Sequence, residues 1–257
     1  MNNLKLLLDE LLKTSVKEEQ VKIQQTINKC FLTEYMLEID KDFKIYPIEV
    51  EAYYYNVPNF PDTCVHQNEL QKNRFGKLYF HRASPQKDSS FLYDGGGFDI
   101  CLSDSENYYL GILIRSAWIN SEEIPVCGPG LLTRRVVKYV CKDGFITKIT
   151  EKEKVEVLKL EENDTVVVNT NNDKRQKDSP IFNSTRFGIN PKVHPEYGLY
   201  NLRSLIELKE PNHPFKEKEK AVEIYMRNNN IEPTDDNIKQ LLGSKSKAVL
   251  EKLKGNN

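Results

Sequence analysis

Apolar residues recur at helical spacing through the first part of the chain. Leu4, Leu7, Leu8, Leu11 and Leu12 form one stripe, and Val16, Val21, Ile23 and Ile27 extend it beyond a polar break. The pattern predicts helix over residues 1–32, packing its stripe on the rest of the chain or on a partner. From Phe43 to Tyr55 the period changes to two. Tyr46, Ile48, Val50, Ala52 and Tyr54 suit a core, while Ile45, Pro47, Glu49, Glu51 and Tyr53 face the other way.

Shorter strands are expected at Lys77–His81, Phe91–Tyr93 and Phe98–Leu102, with a turn at Asp94-Gly95-Gly96-Gly97. Tyr108–Trp118 reads as a longer apolar strand. Gly128-Pro129-Gly130 is helix-start punctuation for a helix over Leu131–Val140. Phe145–Val168 reads as strand pieces around an Asn163-Asp164 turn, and Asn169–Ser179 as a solvated loop. Two helices are expected near the end, Lys216–Arg227 and Thr234–Lys254, the second capped by Thr234.

Composition narrows the function classes. Lys and Arg number 37 against 38 Asp and Glu, a net charge of −1, so any nucleic-acid contact must rest on a local patch. Five widely spaced cysteines without a C-x-x-C point to reduced thiols in a cytoplasmic protein, and four histidines do not suggest a metal site. No apolar run approaches membrane-spanning length. No cofactor, no metal and no membrane partner are expected, and the chain is read as a monomer.

Two carboxylates, Glu49 and Glu51, share a strand face with Tyr53, because alternate strand residues point the same way. Arg115 lies within the apolar run Ile112–Trp118, where an unpaired charge is expensive. It therefore requires a carboxylate or a polar cavity: either a buried ion pair or a site arginine that holds a carboxylate and water.

Seven short motifs then fall in one order across roughly residues 43–205: Ile48-Glu49-Val50-Glu51-Ala52-Tyr53; Asp62-Thr63-Cys64-Val65-His66; Phe91-Leu92-Tyr93; Gly97-Phe98-Asp99-Ile100-Cys101-Leu102-Ser103; Leu113-Ile114-Arg115-Ser116-Ala117; Gly128-Pro129-Gly130-Leu131-Leu132-Thr133; and Thr185-Arg186-Phe187-Gly188-Ile189. Together they resemble the alkyladenine (methylpurine, 3-methyladenine) DNA glycosylase family. The resemblance implies an α+β fold: a single mixed domain with a curved, mainly antiparallel sheet wrapped by helices (formyltransferase C-terminal-domain-like). The divisions expected are an N-terminal helical segment over 1–32, a glycosylase-like domain over 33–208 and a helical C-terminal appendage over 209–257.

The resemblance also implies roles. Glu51 corresponds to the general base that activates water for attack at the sugar C1′, and Arg115 to the residue that holds that water and the carboxylate. Tyr53, His66 and Tyr93 occupy base-stacking positions, and Ser103 stands where an asparagine normally screens purines. Arg134, Arg135 and Lys138 are candidate DNA-backbone contacts. The wedge tyrosine that fills the gap left by a flipped base falls on Gly96, which cannot wedge a base step, and Phe80 and Tyr55 are the substitutes considered.

The expected activity is that of a monofunctional DNA glycosylase in base excision repair, acting on DNA that is single-stranded or locally opened. The alternatives are a non-catalytic nucleic-acid or nucleotide binding module, and a glycosidic hydrolase of single strands or free nucleosides. A positively charged groove beside Glu51 favours the DNA enzyme, and a closed pocket without a groove favours the nucleoside hydrolase.

Overall fold

The N-terminal stripe folds as two helices rather than one. Helix α1 (Asn2–Lys13) buries Leu4, Leu8 and Leu11, and α2 (Lys17–Thr33) begins after an extended Val16. The break lies at the polar interruption in the stripe, where Thr14 Oγ1 donates to Glu19 Oε2 at 2.9 Å and the Thr14 carbonyl accepts from Gln20 Nε2. Helix α2 lies across the central sheet. Its buried Asn28 donates to the Leu202 carbonyl and the Ser204 hydroxyl, tying it to the sheet edge. The computed structural model describes residues 2–84, 86, 90–91, 96–142, 151–162, 167–169, 179–206 and 215–255.

The sheet contains β1 (Tyr35–Asp40), β2 (Phe43–Asn56), β3 (Phe60–Pro61), β4 (Leu78–Phe80), β5 (Phe98–Cys101), β6 (Tyr109–Ile119), β7 (Val126–Cys127), β8 (Val167–Asn169), β9 (Phe182–Ser184) and β10 (Arg203–Leu205). The order is β4-β5-β6-β2-β1-β8, and every pairing is antiparallel. Strand β6 runs along one edge of β2. Strands β1, β10 and β3 follow one another along the other edge, with β9 outside β10. This mixed α+β class, with a mostly antiparallel sheet, is the one expected.

The pairing of β2 with β6 slips in the middle. Pro47 faces Ala117, Glu49 faces Ser116 and Val50 faces Ile114, which leaves Ile48 and Arg115 each without a cross-strand partner. Each strand thus carries one extra residue, and the two offsets cancel. The core side of β2 accordingly reads Ile45, Ile48, Val50, Ala52 and Tyr54; that of β6 reads Leu110, Ile112, Ile114, Ala117 and Ile119. A strict alternation placed Tyr46 in the core and Ile45 outside it. The bulge reverses both, with Ile45 fully buried and Tyr46 half-buried.

Helix α3 (Pro129–Cys141) starts after Gly128, whose φ of 116° is a left-side conformation that glycine adopts freely. Within Phe145–Val168, read as strand pieces, Glu151–Glu162 is instead helix α4, Val167 and Val168 do belong to strand β8, and residues 145–150 and the Asn163-Asp164 turn lie outside the described residues. The alternation of Val155 and Val157 imitates a strand. The buried set Glu153, Val157, Leu160 and Glu161 instead steps by four, three and one, a helical face. At the end of α4, Glu161 covers the edge strand β4: its Oε1 accepts from the Phe80 backbone N–H at 2.7 Å and its Oε2 from Arg82 at 2.7 Å.

The C-terminal part forms three helices, α5 (Lys218–Asn228), α6 (Asp235–Leu242) and α7 (Lys247–Lys254). Thr234 caps α6 as expected, accepting from the Asn237 backbone N–H at 3.2 Å. The single long helix expected is split by Gly243, at φ 81°, and restarts from the Ser246 cap. Tyr225 of α5 packs its ring on Phe182 of β9, 4.6 Å between centroids, and Ala221, Val222, Met226, Ile238, Leu242, Val249 and Leu253 join the main core.

Candidate active site

The offset in β2 and β6 turns Glu49, Glu51, Arg115 and Ser116 toward one another. Arg115 donates through Nε to Glu49 Oε1 at 3.1 Å and through Nη1 to Glu51 Oε2 at 3.3 Å. Arg203, fully buried on β10, donates through Nε to the same Glu49 oxygen at 2.8 Å, and its Nη2 donates to the Lys216 carbonyl at 2.7 Å. Ser116 Oγ donates to Glu49 Oε2. Glu49 is thus clamped by two arginines and a hydroxyl. Burial opposes the charge on Arg115, but Glu51 and Glu49 outweigh it and raise its pKa. The Phe187 ring lies 5.0 Å from the Arg115 guanidinium.

Glu51 is fully buried and differs from Glu49 in its donors. Its Oε1 accepts the Phe187 backbone N–H at 2.6 Å, and its Oε2 accepts the Tyr53 hydroxyl at 2.9 Å beside Arg115. Tyr53 carries Arg186 over its ring at 4.7 Å. Arg186 is held in turn by Asp62, with contacts of 2.6 and 3.2 Å, and by the Ala52 and Tyr197 carbonyls. Burial, and then the Glu51 charge, push the Tyr53 phenol well above its ordinary pKa, so the hydroxyl stays a donor.

Tyr53 and His66 meet at one cleft of about 80 Å³, together with Cys64, Gln71, His81, Asp99 and Ile189. That volume is room for a few waters. Gly111 of β6 creates the gap: it faces Tyr53 on one side and Cys101 on the other, and a Cβ there would sit 2.9 Å from Asp99 Oδ2. Asp99 is buried, with Oδ1 2.9 Å from His81 Nε2 and Oδ2 accepting from Gln71 Nε2 at 3.0 Å. The His81 and His66 rings meet edge to face, 4.6 Å between centroids. His66 is exposed at the mouth, and dense protein on its inner side, followed by the His81 charge, lowers its pKa. Burial raises the Cys64 thiol to about 12. Neither lysine nor arginine lines this cleft among the described residues.

The remaining sequence candidates lie elsewhere. Ser103 is fully buried; its hydroxyl donates to the Tyr108 carbonyl at 3.0 Å and accepts from the Leu110 N–H at 2.8 Å, fastening the β5–β6 connection. Tyr93 and the first half of the Asp94–Gly97 turn, Asp94 and Gly95, fall outside the described residues, while Gly96 and Gly97 are buried. Phe80 is not available as a wedge, because it is buried against Phe98 in the core. Tyr55 is half-buried, edge-on to Tyr109.

Arg135 and Lys138 are exposed on α3 along a separate groove of about 810 Å³ that also carries Asp40, Asp42, Glu122 and Glu156, and Arg135 pairs with Glu122 at 3.0 Å. Arg134 is half-buried.

The sequence reading missed His81, Asp99, Gln71 and Arg203. Gly111 inside an apolar strand was the available signal for the first three, since a strand glycine marks close approach. No family model matches the chain, and no curated protein matches it. No described helix is long and apolar enough to cross a membrane.

Proposed function

We propose that the chain hydrolyses N-glycosidic bonds in nucleic acid, excising a damaged or modified base, with alkylated purines the leading class. One observation carries the reading: a buried carboxylate, Glu51, shares its Oε2 between Arg115 and the hydroxyl of an aromatic residue, Tyr53, that lines a cleft with His66. A carboxylate has about four acceptor sites. Three donors already meet Glu51, from Phe187, Tyr53 and Arg115. The remaining lone pair is where the attacking water binds. Glu51 takes its proton as the water oxygen bonds to C1′ and the C1′–N bond breaks, and the carboxylate faces the positive charge that develops on the sugar.

The Tyr53 ring, which carries Arg186 over one face, and the ring of His66 suit a base taken out of its stack, and the cleft must widen beyond its present room for a few waters to admit one. Among the described residues no lysine or arginine lines the cleft, and the net charge is −1, which favours single strands, locally opened DNA or free nucleosides over intact duplex as the substrate. Arg134, Arg135 and Lys138 are proposed to supply the few backbone contacts.

A non-catalytic base-binding module is the second reading, favoured by the complete burial of Glu51. Incubating the full chain with oligonucleotides that carry alkylated, deaminated or hypermodified bases, single- and double-stranded, separates the two. Release of free base from at least one single-stranded substrate supports the hydrolase. Binding of modified strands without release from any member of the panel supports the module.

A further inference from the structure

The carboxylate that carries the hydrolase reading is fully buried, and the neighbouring cleft stops at Tyr53. The Tyr53 ring lines that cleft, and its hydroxyl donates to Glu51 Oε2 at 2.9 Å. Three groups bond Glu51: Arg115 is buried, whereas Tyr53 and Phe187 are half-buried. The short ways out from Glu51 therefore run past Tyr53 or Phe187. Tyr53 is built into the sheet. It faces Gly111 of β6, the Ala52 N–H before it is bonded to the Leu202 carbonyl at 2.9 Å, and Arg186 lies over its ring.

Phe187, Gly188 and Ile189 instead form a strap slung between two fixed points. Arg186, before the strap, is buried and bonded to Asp62 and to the Ala52 and Tyr197 carbonyls. Asn190, after it, accepts the backbone N–H groups of Lys192, Val193 and His194. Among the described residues, the strap itself makes one backbone hydrogen bond, from the Phe187 N–H to Glu51 Oε1 at 2.6 Å. The Phe187 ring adds contacts with the Arg115 guanidinium at 5.0 Å and with that of Arg203 at 5.8 Å. Gly188 is exposed, and a Cβ there would meet nothing within 4 Å, so open space lies beside the strap. Ile189 lines the cleft with Tyr53 and His66. One end of the strap thus covers the carboxylate and the other walls the cleft.

We propose, resting on the hydrolase reading above, that the strap over residues 187–189 is the gate to Glu51 and that Phe187 is its latch. Lifting the strap joins the cleft to the carboxylate and admits a base beside Tyr53. It also frees Glu51 Oε1 as a further acceptor for the attacking water. Arg186, Asp62 and Asn190 stay in place, so the movement breaks one hydrogen bond and one ring contact and leaves the sheet intact. Substrate binds the open form alone, and its apparent affinity is reduced by the fraction of molecules that are open.

Hydrogen exchange reads the opening without substrate. In wild type the Phe187 N–H is expected to exchange at least about 10-fold faster than the Ala52 N–H, which opens only with the sheet. Phe187→Leu keeps the N–H and the bulk but loses the aromatic face. Exchange at position 187 should then rise by a further factor of about 2 to 30, the range of a cation–π contact, with Ala52 unchanged.

Single-turnover excision of an N7-methylated purine from a single-stranded oligonucleotide, over a range of protein concentrations, reads the gate. Phe187→Leu should lower the half-saturating concentration by a factor of about 2 to 30, because more molecules are open, with the maximal rate changed less than about 3-fold. Phe187→Tyr keeps the ring and should stay within about 2-fold of wild type in both quantities. A residue that only supports the site would raise the half-saturating concentration when truncated.

A Phe187 N–H that exchanges no faster than that of Ala52, with base release intact, overturns the inference and leaves the hydrolase reading standing. So does a half-saturating concentration that is unchanged or raised in Phe187→Leu. Should Phe187→Leu not fold, the wild-type exchange comparison decides alone. No release of base by wild type from single or double strands, with Glu51→Gln indistinguishable from it, overturns the hydrolase reading and the gate with it, whatever the exchange rates.

Discussion

Two charged regions lie on opposite kinds of ground. On β2, β6 and β10, Glu49, Glu51, Arg115 and Arg203 are buried and mutually bonded, built on a pair of bulges that cancel. Along the α3–α4 groove, Arg135, Lys138, Asp40, Glu122 and Glu156 mix both signs, and Arg135 and Lys138 are exposed. Burying charges costs several kcal/mol each unless their partners are well placed, whereas exposed pairs contribute about 0–1 kcal/mol. The contrast teaches where the fold sustains costly, oriented charge: a buried carboxylate cluster at the sheet, against a solvated surface at the helices.

The largest effect that breaks or sharpens this contrast is expected from Arg203→Met. It leaves Glu49 with one arginine in place of two, and it should lower stability by about 3–5 kcal/mol in urea denaturation. Arg135→Met should stay within about 0.5 kcal/mol. Equal losses at the two sites would erase the distinction.

Gly111→Ala comes next. Its Cβ would press within 2.9 Å of Asp99 Oδ2, so it should cost about 1–3 kcal/mol in the same measurement and weaken base binding by closing the floor of the cleft. Unchanged binding would show that Gly111 does not shape the cleft.

A smaller effect concerns salt. Removing Arg135 and Lys138 together should flatten the salt dependence of single-strand binding by about 0.7 per lost phosphate contact, with excision at low salt little changed. An unaltered slope would remove α3 from the nucleic-acid surface.

The smallest concerns pH. His66 has a folded-state pKa below its unfolded value of 6.5. As pH falls through that value, the unfolded chain binds the proton first, so this contribution to stability is present near neutrality and shrinks below it. His66→Gln should make stability less sensitive to pH between about pH 7 and about pH 5, read from thermal melts. A steeper loss in the variant would reverse the sign argued here.

Much of this was legible in the sequence, and the failures have physical causes. The spacing Glu51-Ala52-Tyr53 placed carboxylate and ring on one face, and Arg115 in an apolar run required a carboxylate, which Glu49 and Glu51 both supply. The bulge that turns Arg115 inward was not legible, since it depends on two strands slipping together. Helix α4 was hidden by the alternation of Val155 and Val157, and its role in covering β4 depends on a contact 81 residues distant, from Glu161 to Phe80. Arg203 lay in a stretch without a local signal, because its partner Glu49 is 154 positions away. Ser103 was assigned a base-screening position only by the resemblance, and in the structure its hydroxyl bonds the backbone of the β5–β6 connection.

The central claim, that Glu51 activates the attacking water, is tested most directly by single-turnover excision with Glu51→Gln beside affinity for the same modified strand. The isostere keeps the shape and loses the basicity, so the account predicts a rate lower by at least about 100-fold, with affinity and melting temperature nearly unchanged. A Glu51→Gln rate equal to that of wild type on a base the protein releases would contradict it.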